Sequence, residues 1–204
     1  MNIIFDLDGT LIDSKEGILW TVAGVLNKHQ VKPKVGLDYK IIGPPLKDML
    51  EIVSGRSQDA LAPLIEDFKT LYDSEGVLKT NSYADISEML SKLSAHHKLF
   101  IATNKRIEPT TKIIDFFGWD FFEDVIGINS NPDAKSKDDL LKLLLDRYAL
   151  PLSQTLYIGD TAADALSAKN VGLQFFHAGW GDIKSLDDAI SLEHPFDLLN
   201  KLSN

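Results

Sequence analysis

The sequence of 204 residues contains no cysteine, which excludes disulfide bonds and thiolate metal sites. Basic residues are also few, since 21 lysines and arginines stand against 30 aspartates and glutamates, and the formal net charge is -9. This charge opposes nonspecific attraction to nucleic acid or to anionic membranes. No apolar run is long enough to cross a bilayer, and no basic segment precedes the first apolar run. We therefore expect a cytoplasmic protein that binds neither nucleic acid nor membrane.

The residues that are present indicate a folded globular protein. Apolar residues make up 44% of the chain and charged residues 25%. Residues 2–6 (NIIFD) form a short apolar run followed closely by Gly9, which is typical of a buried strand that ends in a functional loop. Helical periodicity over residues 14–30 predicts a first helix, with Asp13 and Glu16 as a capping box.

The rest of the chain falls into two patterns. Between residues 31 and 81, turns with glycine and proline separate segments of helical periodicity, so this part is predicted to be all helical. After Tyr83, strands alternate with helices, as in a parallel sheet with crossover helices. The predicted helices are 85–95, 108–117, 136–148, 162–170 and 183–202, and the predicted strands are 98–102, 124–128, 155–159 and 173–177.

The two patterns together predict an α/β protein with a doubly wound, Rossmann-like parallel sheet. The core would comprise residues 1–14 and 82–204, and an all-helical subdomain at 15–81 would interrupt it after the first strand. In such a sheet, ligands bind beyond the carboxyl ends of the strands, so polar residues that follow several strands can be read as one site.

Carboxylates follow two of the predicted strands. Asp6 and Asp8 are one residue apart and face the same side if the chain stays extended. Their mutual repulsion is relieved if a hard cation such as Mg²⁺ lies between them. Asp160, in the segment GDTAAD, adds a carboxylate after strand 155–159. Asp164 is either a further site residue or an acid favoured in the first turn of a helix.

Hydroxyl and basic groups follow other strands. The segment TNK (103–105) follows strand 98–102, where a hydroxyl and backbone N–H groups either hold phosphate oxygens or cap the next helix. Lys135 and Lys137 lie at the start of a predicted helix. Most lysines are solvated surface residues, but a positive centre is needed beside the carboxylates if the site binds an anion.

In this combination and order, the motifs resemble those of the haloacid dehalogenase superfamily, in the branch with a helical cap after the first strand. Within that branch the chain is similar to the phosphoglycolate-phosphatase-like enzymes. The matching segments are DLDGTLIDS (6–14), IATN (101–104), a lysine at 135–137 and GDTAAD (159–164). The resemblance spans essentially the whole chain, and the turn IGPPL (42–46) is similar to the substrate-facing loop of the cap.

The resemblance implies a magnesium-dependent phosphatase, which hydrolyses a small phosphate monoester through an aspartyl-phosphate intermediate. It implies that Asp6 is the nucleophile and that Asp8 donates and then accepts the proton. Thr103, Asn104 and the lysine would bind the phosphate oxygens.

The resemblance also implies a set of metal ligands. Asp6, Asp8 through its backbone carbonyl, and Asp160 would hold Mg²⁺. Asp164 would bind the ion through water or orient the lysine.

The third motif departs from the family pattern. Many relatives have a Lys-Pro pair there, whereas this chain has NPDAKSKDDLL. Lys137 is favoured because, in a related version of the motif, the lysine precedes the first apolar pair of the helix by three residues, as Lys137 precedes Leu140 and Leu141. Lys135 stays open as an alternative.

Other functions compete with a phosphatase. A sugar phosphomutase of the same superfamily keeps both aspartates of the first motif, although Thr10 favours hydrolysis. A non-catalytic phospho-ligand-binding protein, or a receiver-like signalling protein, is the alternative from a different class. The acidic residues Asp6, Asp8 and Asp160 favour an enzyme over the former, and the helical insertion disfavours the latter. The sequence predicts neither the oligomeric state nor the physiological substrate.

Overall fold

The computed structural model describes residues 1–42 and 45–202. Gly43 and Pro44, at the centre of the IGPPL turn, lie outside the described residues. The chain divides into two compact units, of which one comprises Met1–Asp13 with Asn81–Asn204 and the other comprises Ser14–Thr80.

The strands of the larger unit form a parallel sheet and a short antiparallel ribbon. The strands are β1 (Asn2–Phe5), β2 (Ile12–Asp13), β3 (Asn81–Ser82), β4 (Lys98–Thr103), β5 (Phe122–Gly127), β6 (Thr155–Gly159), β7 (Gln174–Ala178) and β8 (Ile190–Leu192). Over residues 1–42 and 45–202 the sheet has six strands in the order β5-β4-β1-β6-β7-β8, and all neighbouring pairs are parallel. Strands β2 and β3 pair with each other in the ribbon. The predicted α/β class with a parallel sheet is therefore confirmed.

Helices connect the strands and make up the smaller unit. They are α1 (Lys15–Lys28), α2 (Leu46–Ser54), α3 (Ala62–Ser74), α4 (Ile86–Ser94), α5 (Ile107–Phe117), α6 (Lys137–Arg147), α7 (Ala162–Val171) and α8 (Pro195–Leu202). Among the described residues, no helix is both long and apolar enough to span a membrane.

The centre of the sheet is buried on both faces. Ile3, Ile4 and Phe5 of β1 are all fully buried, as expected for a central strand of a parallel sheet with helices on both sides. On one face, Ile4 joins a cluster of buried side chains that includes Phe100 of β4 and residues of α6 and α7. Burial of this continuous apolar surface supplies the main stabilisation of the unit.

The strand order decides which loops meet. Strand β1 lies between β4 and β6, and Phe5 is opposite both Ile101 and Ile158. The segments that follow these three parallel strands therefore emerge side by side at the carboxyl edge of the sheet. All of the carboxylates singled out in the sequence follow β1 or β6.

The regular secondary structure among the described residues of the smaller unit is helical. Helix α3 packs against both α1 and α2, and its buried residues Leu64, Phe68 and Tyr72 are spaced as one face of a helix. The rings of Phe68 and Tyr72 are stacked with their centroids 5.6 Å apart. Short 3₁₀ turns at Tyr39–Ile41, Gln58–Ala60 and Gly76–Lys79 complete the unit.

Two local predictions are wrong. Asp13 does not cap α1, because it belongs to β2 and pairs with Asn81, and α1 begins after Ser14 without a side-chain cap. The segment 183–202 is not one helix, since α8 occupies only its last part and β8 precedes it at the sheet edge. Pro195 is the first residue of α8, a position that proline favours because the N–H it lacks has no partner within the helix.

Candidate active site

Three carboxylates meet at the carboxyl edge of the sheet. Asp6 follows β1, whereas Asp160 follows β6 and Asp164 lies in the first turn of α7. One oxygen atom of each lies within 4.8 Å of those of the other two. Asp6 and Asp164 are buried, and the backbone N–H of Asp6 donates to the carbonyl of Ile158 over 2.8 Å, which ties the end of β1 to β6.

The three carboxylates of this cluster share one neighbouring cation, the ammonium group of Lys137, among the ion pairs of the described residues. Burial raises the pKa of Asp160 to about 7, and the charges of Asp6 and Asp164 act in the same direction. Burial also raises the pKa of Asp6 to about 6, although the nearby ammonium group of Lys137 opposes the shift. Buried carboxylate oxygens that repel one another match the donor set that a hard divalent cation prefers. The residues present therefore fit Mg²⁺.

Lys137 is the positive centre beside the carboxylates. Its ammonium group donates to Asp6 Oδ1 over 2.5 Å, to the Tyr157 hydroxyl over 2.9 Å and to Asp164 Oδ1 over 3.0 Å. Burial alone would lower the pKa of Lys137, but the Asp6 and Asp164 carboxylates raise it above its usual value, so the side chain stays charged. All three N–H donors of the ammonium group have a partner.

The structure brings Lys137, and not Lys135, to the carboxylates. Helix α6 begins at Lys137, and the preceding Ser136 caps it by accepting a hydrogen bond from the backbone N–H of Asp139. Lys135 lies before this cap, is exposed, and donates its ammonium group to the backbone carbonyl of Pro132. The start of the helix therefore decides which of the two lysines reaches the carboxylates.

Asp164 is bonded to protein groups through both of its carboxylate oxygens. Oδ1 accepts from Lys137 and from the hydroxyl of Tyr157, the latter over 2.7 Å. Oδ2 accepts from the backbone N–H and the hydroxyl of Thr161. The first of these bonds, together with the Asp164 N–H donating to Thr161 Oγ1, forms a capping box at the start of α7. These bonds, together with the charge of Lys137, hold the pKa of Asp164 below its usual value even though burial acts in the opposite direction. Asp164 and Asp6 thus accept hydrogen bonds from the same ammonium group.

Asp8 stands apart from the acidic cluster. Its side chain is half-buried, and Oδ1 and Oδ2 accept from the ammonium group of Lys105 over 2.9 and 3.1 Å. Lys105 follows β4 by two residues. The two aspartates of the first motif are therefore each paired with a different lysine.

The second motif lies beside this pair. Thr103 is the last residue of β4 and is buried, and its hydroxyl accepts a hydrogen bond from the backbone N–H of Lys105 over 3.1 Å. Asn104 is exposed in the same turn. Thr103 and Asn104 thus both lie at the carboxyl edge of the sheet, next to the loop that follows β1.

The loop after β1 is held against the carboxylates by its glycine. Gly9 has a φ of +82°, and a Cβ atom there would lie 2.1 Å from Asp160 Oδ2. Only glycine fits this position without displacing the carboxylate. The Thr10 hydroxyl donates to Asp160 Oδ1 over 3.4 Å, and the indole N–H of Trp180 donates to the Thr10 carbonyl over 2.7 Å.

Sequence reasoning assigned no role to three side chains that contact these groups. The roles of Lys105 and Tyr157 depend on which strands are neighbours, although a hydroxyl within the apolar strand TLYIG is a signal that could have drawn attention to Tyr157. His177, on β7, is fully buried, with Nε2 3.2 Å from the Asp160 carbonyl and Nδ1 2.9 Å from the Ser191 hydroxyl oxygen. Burial lowers the pKa of His177. A neutral ring therefore donates through Nε2 and accepts through Nδ1.

The chain is similar to known proteins over most of its length. A family model described as haloacid dehalogenase-like hydrolase matches residues 3–178. A 5'-nucleotidase of Pseudomonas aeruginosa is 29% identical over 183 residues, which cover 88% of this chain and 83% of that protein. A phosphoglycolate phosphatase of Vibrio vulnificus is 30% identical over 190 residues, with the same coverage of 88% and 83%.

A solved structure shares the fold over nearly the whole chain. It is a hydrolase of the haloacid dehalogenase-like family from Streptococcus pneumoniae, with a TM-score of 0.84 and 27% sequence identity. The match covers 98% of this chain and 97% of that one. The similarity therefore includes both compact units rather than the sheet alone.

Proposed function

Since the chain belongs to the haloacid dehalogenase-like hydrolase family, we propose that it is a magnesium-dependent phosphatase that hydrolyses a small phosphate monoester through an aspartyl phosphate on Asp6. The observation that carries this proposal is the contact of Lys137 with Asp6 inside the cluster of buried carboxylates. A carboxylate at the end of a strand, with a fixed cation beside it, can accept an anionic phosphoryl group that would otherwise be repelled.

The first step transfers the phosphoryl group to the protein. A carboxylate oxygen of Asp6 attacks phosphorus, and the bond between phosphorus and the ester oxygen breaks. Asp8 gives its proton to the departing oxygen, which leaves as the alcohol. Lys137, with Thr103 and Asn104, binds the non-bridging oxygens and offsets the charge that they carry in the transition state.

The second step returns Asp6 to its starting form. A water molecule attacks the phosphorus of the aspartyl phosphate, and Asp8, now a carboxylate, takes the proton of that water. The bond between phosphorus and the Asp6 oxygen breaks, and inorganic phosphate leaves. Splitting the displacement into two steps lets one carboxylate serve first as acid and then as base.

Asp6, Asp160 and the backbone carbonyl of Asp8 are the proposed ligands of Mg²⁺. Asp164 is not used directly, because both of its carboxylate oxygens are occupied by protein donors. When bound, the ion would screen the carboxylates from the phosphate and orient the phosphoryl group.

The helical segment 15–81 is the proposed cap, which would exclude water from the site and provide contacts that select the substrate. Relatives that act on different substrates support only a class of substrate, since one is named a phosphoglycolate phosphatase and another a 5'-nucleotidase. We take the small, phosphoglycolate-like monoesters as the first candidates. A chain without cysteine suits the reducing cytoplasm, where we propose that the enzyme acts.

A substrate panel tests the proposal. Purified protein is assayed for released phosphate with phosphoglycolate, sugar phosphates and nucleoside 5'-monophosphates, each with Mg²⁺ and with a chelator. Asp6→Asn, which keeps the shape of the side chain but cannot form the acyl phosphate, is the matched control. We expect turnover that requires both Mg²⁺ and Asp6. Full turnover in metal-free protein, or substantial turnover by a homogeneous Asp6→Asn preparation, would contradict the proposal.

A further inference from the structure

We propose that Lys105 is a positioning residue, which holds the carboxylate of Asp8 in one orientation for proton transfer. This inference rests on the proposed function, because it assigns a task to a neighbour of the proposed acid and base. Nothing in the sequence pattern of the motifs requires it, since a lysine after a strand is ordinarily a solvated residue.

The contact itself is well defined. The ammonium group of Lys105 donates to both oxygens of Asp8, over 2.9 and 3.1 Å. The side chain of Lys105 is only 9% exposed and that of Asp8 34% exposed, so this pair differs from a solvated surface ion pair. A carboxylate has about four acceptor positions, and the ammonium group takes two of them.

Hydrogen bonds on both sides of the Lys105 backbone fix its position. Its N–H donates to the Thr103 hydroxyl over 3.1 Å, and its carbonyl accepts from the N–H of Ile128 over 3.1 Å. Gly127 lies directly under this carbonyl, because a Cβ atom there would be 2.5 Å from the oxygen. The end of β4 and the end of β5 therefore anchor the point from which the lysine reaches toward Asp8.

The backbone of Asp8 is fixed independently of the lysine. The N–H of Gly9 donates to the carbonyl of Ile12 over 2.8 Å, and Asp8 itself forms a bridge with Ile12. Trp180 holds the carbonyl of Thr10 in the same loop. Removing the ammonium group of Lys105 thus takes two hydrogen bonds from the Asp8 carboxylate and leaves the loop in place. Its effect should fall on the orientation of the side chain, and hence on proton transfer.

Lys105 and Lys137 contact different aspartates of the first motif. The ammonium group of Lys137 donates to Asp6, Tyr157 and Asp164, whereas that of Lys105 donates to Asp8. Each aspartate is thus held by a lysine from a different strand connection. In this arrangement the nucleophile and the proton carrier are oriented separately.

Two aryl esters with different leaving groups test the role of Lys105. Phenyl phosphate releases a basic phenolate that needs a proton, whereas p-nitrophenyl phosphate releases a stable nitrophenolate that does not. The values of kcat/KM are compared, because they include only steps up to departure of the leaving group. Lys105→Met removes the charge and keeps most of the stem, and Lys105→Arg restores the charge. Lys98→Met, an exposed lysine at the opposite end of β4, is the matched control.

We expect Lys105→Met to lower kcat/KM for phenyl phosphate by about 10- to 100-fold, since misplacing a catalytic group by about 1 Å can cost about that much. For p-nitrophenyl phosphate the change should stay within about threefold, because its departure gains little from general acid catalysis. Lys105→Arg should recover part of the loss, and Lys98→Met should behave as wild type. In an Asp8→Asn background, Lys105→Met should add little further loss, because both changes act on the same proton transfer.

Equal losses for the two esters would overturn the inference and assign Lys105 to phosphate binding instead. Additive losses in the Asp8→Asn background, or no loss in Lys105→Met, would also overturn it. Failure of the proposed function looks different, because wild-type protein would then hydrolyse neither ester, or Asp6→Asn would retain turnover.

Discussion

Replacing Lys137 tests whether Lys137 or Lys135 is the functional lysine, a choice that the sequence left open. Lys137→Ala removes the donor of three hydrogen bonds and leaves the buried carboxylates of Asp6 and Asp164 without their cation. Removing one preorganised donor to a transferring group costs about 10²–10³-fold in kcat. Lys137 is also the largest influence that lowers the pKa of Asp6, so its loss should raise that pKa above about 6. We therefore expect at least a hundredfold loss of kcat at saturating Mg²⁺.

Stability must be measured with activity, because breaking a buried ion pair by removing one partner costs about 3–5 kcal/mol. Lys137→Met, which keeps the apolar stem, and saturating Mg²⁺ both limit this loss. Circular dichroism and thermal unfolding then identify preparations that are folded at the assay temperature.

Lys135→Ala is the comparison. Its ammonium group is exposed and reaches only a backbone carbonyl, so stability should change by less than about 0.5 kcal/mol. Activity should stay within about twofold. Steady-state kinetics of Lys137→Ala, Lys137→Met and Lys135→Ala decide the matter. Loss confined to Lys135→Ala, or near wild-type kcat in folded Lys137 variants, would refute the assignment.

Three further predictions concern the surroundings of the carboxylates. Gly9→Ala should lose most activity and at least about 1 kcal/mol of stability, as seen by thermal unfolding, because the new Cβ meets Asp160 and the positive φ is strained. Tyr157→Phe removes a buried hydroxyl that bonds to Asp164, so a loss of about 1–2 kcal/mol in chemical denaturation is expected, and an unchanged midpoint would contradict it. In metal-free protein, burial raises the pKa of Asp6 to about 6 and that of Asp160 to about 7, from the usual 3.8. Between pH 3.8 and about pH 7 the native state therefore binds more protons than the unfolded state. The free energy of unfolding thus falls as the pH rises through this range. Mg²⁺ should therefore raise the unfolding temperature more at pH 8 than at pH 5, and an equal increase at both would count against these carboxylates as its ligands.

Much of the sheet could be predicted from the sequence because its strands are continuous apolar runs. The strand predicted at 155–159 has the bounds of β6, and the strand predicted at 98–102 ends one residue short of β4. Such runs are buried on both faces, so the apolar residues themselves mark the element. The family expected from the motifs is confirmed by the family model over residues 3–178.

Very short strands, and the pairing of strands that are far apart in the sequence, could not be predicted. Strand β8 has three residues and, within the part of the chain that the structure describes, pairs only with β7. Its alternation, with Leu192 buried and Ile190 exposed, is too short to indicate a strand. Strands β2 and β3 have two residues each, and the whole helical segment separates them in the sequence. That pairing places Asp13 in a strand, which is why the predicted capping box did not form.

In the candidate site, too, the positions of some side chains could be predicted from the sequence and those of others could not. Asp6, Asp160 and Lys137 follow strands or begin helices that the sequence indicates, so their approach could be expected from the rule for parallel sheets. The pairing of Lys105 with Asp8 depends on β4 being the neighbour of β1, and strand order is not visible in local patterns. Catalytic roles for all of these residues stay predictions until variants are measured.

The central claim is that Asp6 carries the phosphoryl group, and trapping that group tests it most directly. The enzyme is mixed with a substrate found in the panel, quenched with acid within one turnover, and reduced with borohydride, which converts an aspartyl phosphate to homoserine. Peptide mass spectrometry then locates the change. We predict homoserine at position 6 in the wild-type protein and none in the Asp6→Asn variant. Modification at another aspartate, or rapid turnover with no trapped residue, would contradict the claim.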